Sequence, residues 1–80
     1  MRGFSTLVVL AALAGNAQAD FKAGLDAWNS GDYKSALEQF KQAAEQGDAR
    51  SQFYMGEAFN KGRGVVQDYA EAVTWYRKAA

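Results

Sequence analysis

Eighty residues without a single cysteine or histidine leave little conventional chemistry to place. A thiol nucleophile, a disulfide, a lipid anchor on cysteine and the commonest general base and metal ligand are excluded at the outset. Catalysis would have to rest on carboxylates, lysines, tyrosines or serines. The nine Asp and Glu residues are scattered over helix caps and polar faces, and no pair converges with a second polar group. No catalytic residue, metal ligand or cofactor site is expected. Gly62-x-Gly64 invites comparison with a phosphate-binding loop, but no strand precedes it and no Lys-Ser/Thr follows. It reads instead as a turn whose Val65 tucks into a seam between helices. Nine Lys and Arg balance the nine acids, so there is no electrostatic case for nucleic acid or for an anionic membrane.

The apolar spacing supplies the frame. Phe21, Gly24, Leu25 and Trp28 recur at i, i+3, i+4 and i+7, which predicts a helix over Phe21–Asn29. Ser30-Gly31-Asp32 ends it and caps the next. A second helix carries Tyr33, Ala36, Leu37, Phe40, Ala43 and Ala44 on one stripe. Its other face, with Lys34, Glu38, Lys41 and Glu45, allows Glu38–Lys41 and Lys41–Glu45 pairs worth about a few tenths of a kcal/mol. Gly47-Asp48 stops that helix and caps a third, Ala49–Lys61, whose stripe is read as Ala49, Gln52, Phe53, Gly56 and Phe59 with Met55 beside it. A mid-helix glycine costs about 1 kcal/mol against alanine, so Gly56 points to close approach of a neighbouring helix. A fourth helix follows Asp68, where Asp68-x-x-Glu71 resembles a capping box, and buries Tyr69, Ala72, Val73, Tyr76, Ala79 and Ala80, widened by Trp75. The aromatics are expected mostly in the core, with one or two of them, Trp28 foremost, left exposed on an inner surface.

Residues 1–19 differ from the rest. Arg2 precedes an almost unbroken apolar run from Phe4 to Ala14, and Ala17-Gln18-Ala19 follows as a small-x-small tripeptide. That is the pattern of a signal peptide cut between Ala19 and Asp20; the run is shorter than the roughly 20 residues a spanning helix needs. An uncleaved membrane anchor is the main alternative, a buried N-terminal helix the other. With cleavage, the chain is expected to be periplasmic or secreted.

The remainder repeats itself. A shift of 36 lays the second helix on the fourth: Asp32-Tyr33 on Asp68-Tyr69, Ala36-Leu37 on Ala72-Val73, Phe40 on Tyr76, Ala43-Ala44 on Ala79-Ala80. The first and third helices superpose at a shift of 32, which places Gly24 on Gly56. The four-residue difference lies in the turn, short around Gly31 and long over Gly62–Gln67. Asp48–Ala80 closely resembles the Sel-one-like repeat, a relative of the tetratricopeptide repeat with a longer internal turn. Ala49, Ser51, Phe53, Met55-Gly56, Phe59, Gly62, Gly64, Val65, Asp68-Tyr69, Ala72, Trp75-Tyr76 and Ala79-Ala80 hold the family's positions. Val66 stands where the family often has proline. The first unit resembles the tetratricopeptide form through Gly24, Gly31, Tyr33, Ala36, Phe40 and Ala43.

The expected fold is all-α, two antiparallel helix-turn-helix repeats (20–46 and 47–80) forming a short α-solenoid behind the 1–19 segment. Two repeats fall short of the three or so that usually make a stable array, so Trp75, Tyr76 and Ala79 are expected to present an apolar end to further repeats or to a second copy. The resemblance implies that the first helix of each pair lines a concave surface. By position that surface holds Trp28, Asn29, Arg50, Glu57, Asn60 and Lys61, suited to a protein or peptide partner. It also implies an exported adaptor or scaffold in bacterial envelope or secretion-related complexes. Some cysteine-rich secreted relatives are linked to β-lactam hydrolysis; the lack of cysteine and of any Ser-x-x-Lys motif argues against that alternative. A membrane-tethered regulator is the reading that follows if the leader stays uncut.

Overall fold

The computed structural model describes residues 16–80, so the apolar run from Phe4 to Ala14, on which the signal-peptide expectation rests, lies outside the described residues. Four helices follow one another: α1 (Ala17–Asn29), α2 (Tyr33–Glu45), α3 (Ala49–Lys61) and α4 (Tyr69–Ala79). Each begins on the short polar side chain that chemistry asks of an N-cap, satisfying backbone N–H groups that have no intrahelical acceptor. Asn16 Oδ1 accepts from Gln18 N and Ala19 N, Asp32 from Ser35 N, Asp48 from Arg50 N and Ser51 N, and Asp68 from Glu71 N. The Asp68–Glu71 box is half formed, because the Asp68 N–H donates to the Phe59 carbonyl. α1 starts four residues before the expected Phe21, since the Asn16 cap draws Ala17-Gln18-Ala19 into its first turn. Gly31, Gly47 and Gly62 take positive φ where the chain leaves a helix.

The helices pack in sequence, α1 on α2, α2 on α3 and α3 on α4, which is the expected pair of helical hairpins stacked as a short all-α solenoid. Ala36, Leu37, Phe40, Ala44, Met55 and Ala58 form the buried core, flanked by half-buried Phe21, Leu25, Trp28, Tyr54, Phe59, Val65 and Trp75. Phe40 is fully buried, and burial of a ring of that size contributes about 1.5–3 kcal/mol.

Both hairpins close on the same device. A Cβ on Gly24 would stand 2.7 Å from the Phe40 ring, and one on Gly56 would stand 2.6 Å from the Tyr76 ring. Each ring therefore lies flat on a glycine of the opposite helix, and the price of a mid-helix glycine is met by backbone approach. The long turn has a second task. Gly64, at φ +76°, would meet Leu37 Cδ1 and the Tyr33 backbone at 3.0 Å if it bore a Cβ, and Val65 packs against the core as expected. The turn thus folds back onto the first hairpin and ties the two repeats together. Gln52 adds a buried tie across the same seam, its Nε2 donating to the Ala44 carbonyl at 3.1 Å.

The structure corrects several side-chain assignments. α3 is gripped by α2 on one side and α4 on another, so its buried set is Ser51, Gln52, Met55, Gly56 and Ala58 rather than a single stripe. Ala49 and Phe53 consequently face outward, Phe53 at 46% exposure, while Tyr54 turns in. Trp28, expected exposed, is half-buried. Tyr69 and Val73 lie on the open side of α4, whereas Tyr76 is on Gly56, so the apolar end is made by Phe53, Tyr69 and Val73 instead of Trp75, Tyr76 and Ala79. The expected Glu38–Lys41 and Lys41–Glu45 pairs do not form; the ion pairs among the described residues are Lys22–Asp26, Arg50–Asp48 and Lys61–Glu57.

Candidate protein-binding surface

The two first helices, α1 and α3, meet through an aromatic cluster, with Phe21 and Trp28 of α1 reaching Tyr54 of α3. Tyr54 stacks on Phe40 with ring centroids 4.8 Å apart and an interplanar angle of 11°, and meets Trp28 edge-on at 5.2 Å and Phe21 at 6.1 Å. Trp28 also meets Tyr33 edge-on at 4.9 Å. Tyr54 escaped the sequence reading because its repeat counterpart is Lys22, so self-similarity gave it no weight.

Two arginines lie over this cluster. The Arg50 guanidinium sits 4.1 Å from the Phe21 ring centre and donates to Asp48 through Nη2 at 2.9 Å and Nε at 3.2 Å. Asp48 is held below the usual carboxylate range chiefly by that Arg50 bond, with the α3 N–H groups adding to it, and Arg50 is raised in return. Arg63, unremarkable in sequence, comes from the long turn and lies 5.2 Å from the Tyr33 ring and 5.7 Å from Trp28. A ring contact of this kind fixes a guanidinium without using its edge donors; those of Arg50 are engaged by Asp48, which leaves Arg63 as the arginine to meet a ligand.

At the far end of α3, Tyr76 donates its hydroxyl to Glu57 Oε1 at 2.7 Å and Lys61 pairs with Glu57 Oε2 at 2.9 Å. The Tyr76 bond, then the Lys61 bond, hold Glu57 below the ordinary glutamate range. Burial first, and the Glu57 bond second, push the Tyr76 hydroxyl up to about 12. A hydroxyl so firmly protonated is a donor clamped on an acceptor, the opposite of an activated nucleophile. Among the described residues no three His, Cys, Asp or Glu side chains gather at metal-binding distance.

The six positions marked from sequence therefore fall into two groups. Trp28 and exposed Asn29 end α1 beside Arg63, and Glu57, Asn60 and Lys61 occupy the last turns of α3, with the Asn60 carbonyl accepting from Gln67 Nε2 at 2.7 Å. Arg50 stands at the other end of α3, about 16 Å away at 1.5 Å per residue. Ala19 and Asp20, the expected cleavage pair, lie in the first turn of α1 with Ala17. A groove of about 430 Å³ opens on another side, floored by Leu37, Met55, Phe59, Val65 and Trp75 and rimmed by Lys34, Glu38, Lys41 and Glu71. Trp75 is held there under Lys78, whose Nζ lies 4.3 Å from its ring centre. Only the widening of the fourth stripe by Trp75 and the placing of Val65 in a seam hinted at this groove.

The Sel1 repeat profile matches residues 30–48 and 49–80, the second match coinciding with α3, the long turn and α4. DAP3-binding cell death enhancer 1 of Rattus norvegicus is 41% identical over 49 residues, 61% of this chain and 10% of that protein. Secretory immunoglobulin A-binding protein EsiB of Escherichia coli O6:H1 is 40% identical over 43 residues, 54% of this chain and 9% of that protein. Both are named as binding proteins, and the chain spans about a tenth of the length of each. No solved structure gives a significant match.

Proposed function

From the premise that this chain belongs to the Sel1 repeat family, we propose that it is an exported protein-interaction module, an adaptor or scaffold in bacterial envelope or secretion-related complexes. The observation that carries the binding role is the ordered surface of α1, α3 and the long turn. Arg50 and Arg63 are fixed on aromatic rings and Glu57 is fixed between Tyr76 and Lys61, so the entropy of ordering these long side chains is lost before a partner arrives. The partner on this reading is a protein or peptide whose acidic groups meet Arg63 and whose polar groups meet Asn29 and Asn60. Export rests on the order of charge, apolar run and Ala17-Gln18-Ala19 in residues 1–19. A membrane role follows only if that segment is retained; among the described residues no helix is long and apolar enough to cross a bilayer.

A photo-crosslinking residue placed at Asn29 or Asn60 should capture a discrete envelope protein, and the same probe at Glu45, on the outside of α2, should not. Asn60→Ala with Lys61→Ala should weaken capture and leave far-UV circular dichroism unchanged. Equal capture from both faces would sink the surface assignment. Intact-mass measurement on exported chain separates cleavage after Ala19 from retention of the leader.

A further inference from the structure

The two ends of the solenoid differ in chemistry. By the shifts of 32 and 36, Phe53, Tyr69 and Val73 stand where the first repeat has Phe21, Tyr33 and Leu37. In the first repeat the second covers these residues. Phe21 lies under Arg50 and against Tyr54, Tyr33 under Gly64 and Arg63, and Leu37 is only 7% exposed. In the second repeat their counterparts are open, Phe53 at 46%, Tyr69 at 64% and Val73 at 44%. They form one patch, because Tyr69, Val73 and Tyr76 follow at i, i+4 and i+7 on α4 and Phe53 meets the Tyr76 ring at 5.8 Å. A contiguous apolar patch of this kind marks an interaction surface.

The opposite end cannot cover it. α1 carries Asp20, Lys22 and Asp26 where α3 carries Gln52, Tyr54 and Ala58. Ala58 is fully buried in the seam and Gln52 donates there to a helix-terminal carbonyl. A second copy stacking α1 on the patch would bury the Asp26 carboxylate and set Asp20 against the acceptor end of α4, both strongly unfavourable. The matching face of α3 is already taken by α2. A second copy therefore reaches the patch with its own patch. Tyr69 and Arg77 lie four residues on either side of Val73, so two α4 helices crossing antiparallel at Val73 bring each Tyr69 to Arg77 of the partner subunit. That repeats the arginine-on-ring contact the chain uses at Phe21 and at Tyr33. Arg77 takes part in no ion pair among the described residues, and antiparallel α4 helices set the acidic start of one, Asp68 and Glu71, toward the basic end of the other, Arg77 and Lys78.

We propose that the chain forms a tail-to-tail twofold dimer through α4, with Val73 on the axis and Phe53 at its edge. The purified chain should sediment at twice its monomer mass as concentration rises, and Val73→Asp, which sets two carboxylates face to face, should return it to a single mass with far-UV circular dichroism unchanged. Because the chain has no cysteine, Val73→Cys gives a clean second readout, independent of how Val73→Asp folds. A residue on a twofold meets itself, so Val73→Cys should form a disulfide-linked dimer under mild oxidation while Ala23→Cys, on the outer side of α1, stays monomeric. A chain monomeric throughout, association that survives Val73→Asp because residues 4–14 drive it, or Val73→Cys that crosslinks only to Ala23→Cys, as in head-to-tail stacking, would each overturn the proposal. So would a Val73→Cys thiol shielded from maleimide in a monomer, which would mean that the chain covers the patch itself.

Discussion

Replacing Gly56 by alanine sets helix propensity against packing. Propensity favours alanine by about 1 kcal/mol. The added methyl would stand 2.6 Å from Cδ1 and Cε1 of Tyr76 and 3.1 Å from its Cγ, where carbon atoms settle at about 3.5–4.0 Å. Relief requires α3 and α4 to part by about 1 Å, or the ring to swing off the helix. Overpacking of this kind costs about 1–3 kcal/mol. Swinging the ring also breaks the 2.7 Å bond to Glu57, and a hydrogen bond to a charged acceptor is worth about 1.5–3 kcal/mol. The net expectation is a loss of about 2 kcal/mol, which for a domain this small lowers the melting temperature by roughly 10 °C. Thermal circular dichroism measures it. Tyr76→Leu in the Gly56→Ala background should recover part of the loss by removing the ring. Gly56→Ala melting at or above the parent temperature would refute the reasoning, since propensity alone would then govern the site.

Four further outcomes follow from the seams and from the Glu57–Tyr76 pair. Glu57 has a lowered folded pKa, so its contribution is complete above the unfolded glutamate value and fades as pH falls through the folded one; Glu57→Gln should flatten the acid limb of a stability–pH curve. Tyr76 has the reverse sign, its contribution being complete below pH 10 and lost as pH rises toward about 12, so one of the four tyrosines should ionise late in an ultraviolet titration, and Tyr76→Phe should remove that late step. Gln52→Glu replaces the buried donor to Ala44 with a carboxylate and should cost about 2–3 kcal/mol in urea unfolding, against about 1 kcal/mol for Gln52→Leu. Gly64→Ala meets a positive φ and 3.0 Å contacts to Leu37 and Tyr33; it should cost about 1–3 kcal/mol and shift the fluorescence of Trp28, which lies by the same turn.

Fold was legible where one residue type answers one local demand. Asp32, Asp48 and Asp68 cap because a short carboxylate before an apolar stripe has few other uses, and Gly56 announced a close helix because nothing else repays its presence. Side-chain destinations were less legible wherever a helix has two neighbours. Phe53 and Tyr54 are adjacent and aromatic, and which of them is buried depends on how α3 is rotated between α2 and α4, which periodicity on one stripe cannot encode. Arg63 was invisible for a related reason: its value comes from a turn folding back on Trp28 and Tyr33, residues about thirty positions earlier. The surface assignments from family position put Glu57, Asn60 and Lys61 together but could not foresee that Tyr76 already occupies one oxygen of Glu57.

That last contact bears on how such chains can be rearranged. The ring on glycine recurs in both hairpins, but the residue one step past each glycine differs: Leu25 accompanies Phe40, and Glu57 accompanies Tyr76. The hydroxyl and its acceptor come together or are absent together. A crossover inside a turn, joining the first helix of one hairpin to the second of the other, would leave either a half-buried hydroxyl beside leucine or a carboxylate beside phenylalanine. The transferable segment is the whole hairpin, and duplication or shuffling that respects this boundary keeps the polar pair intact.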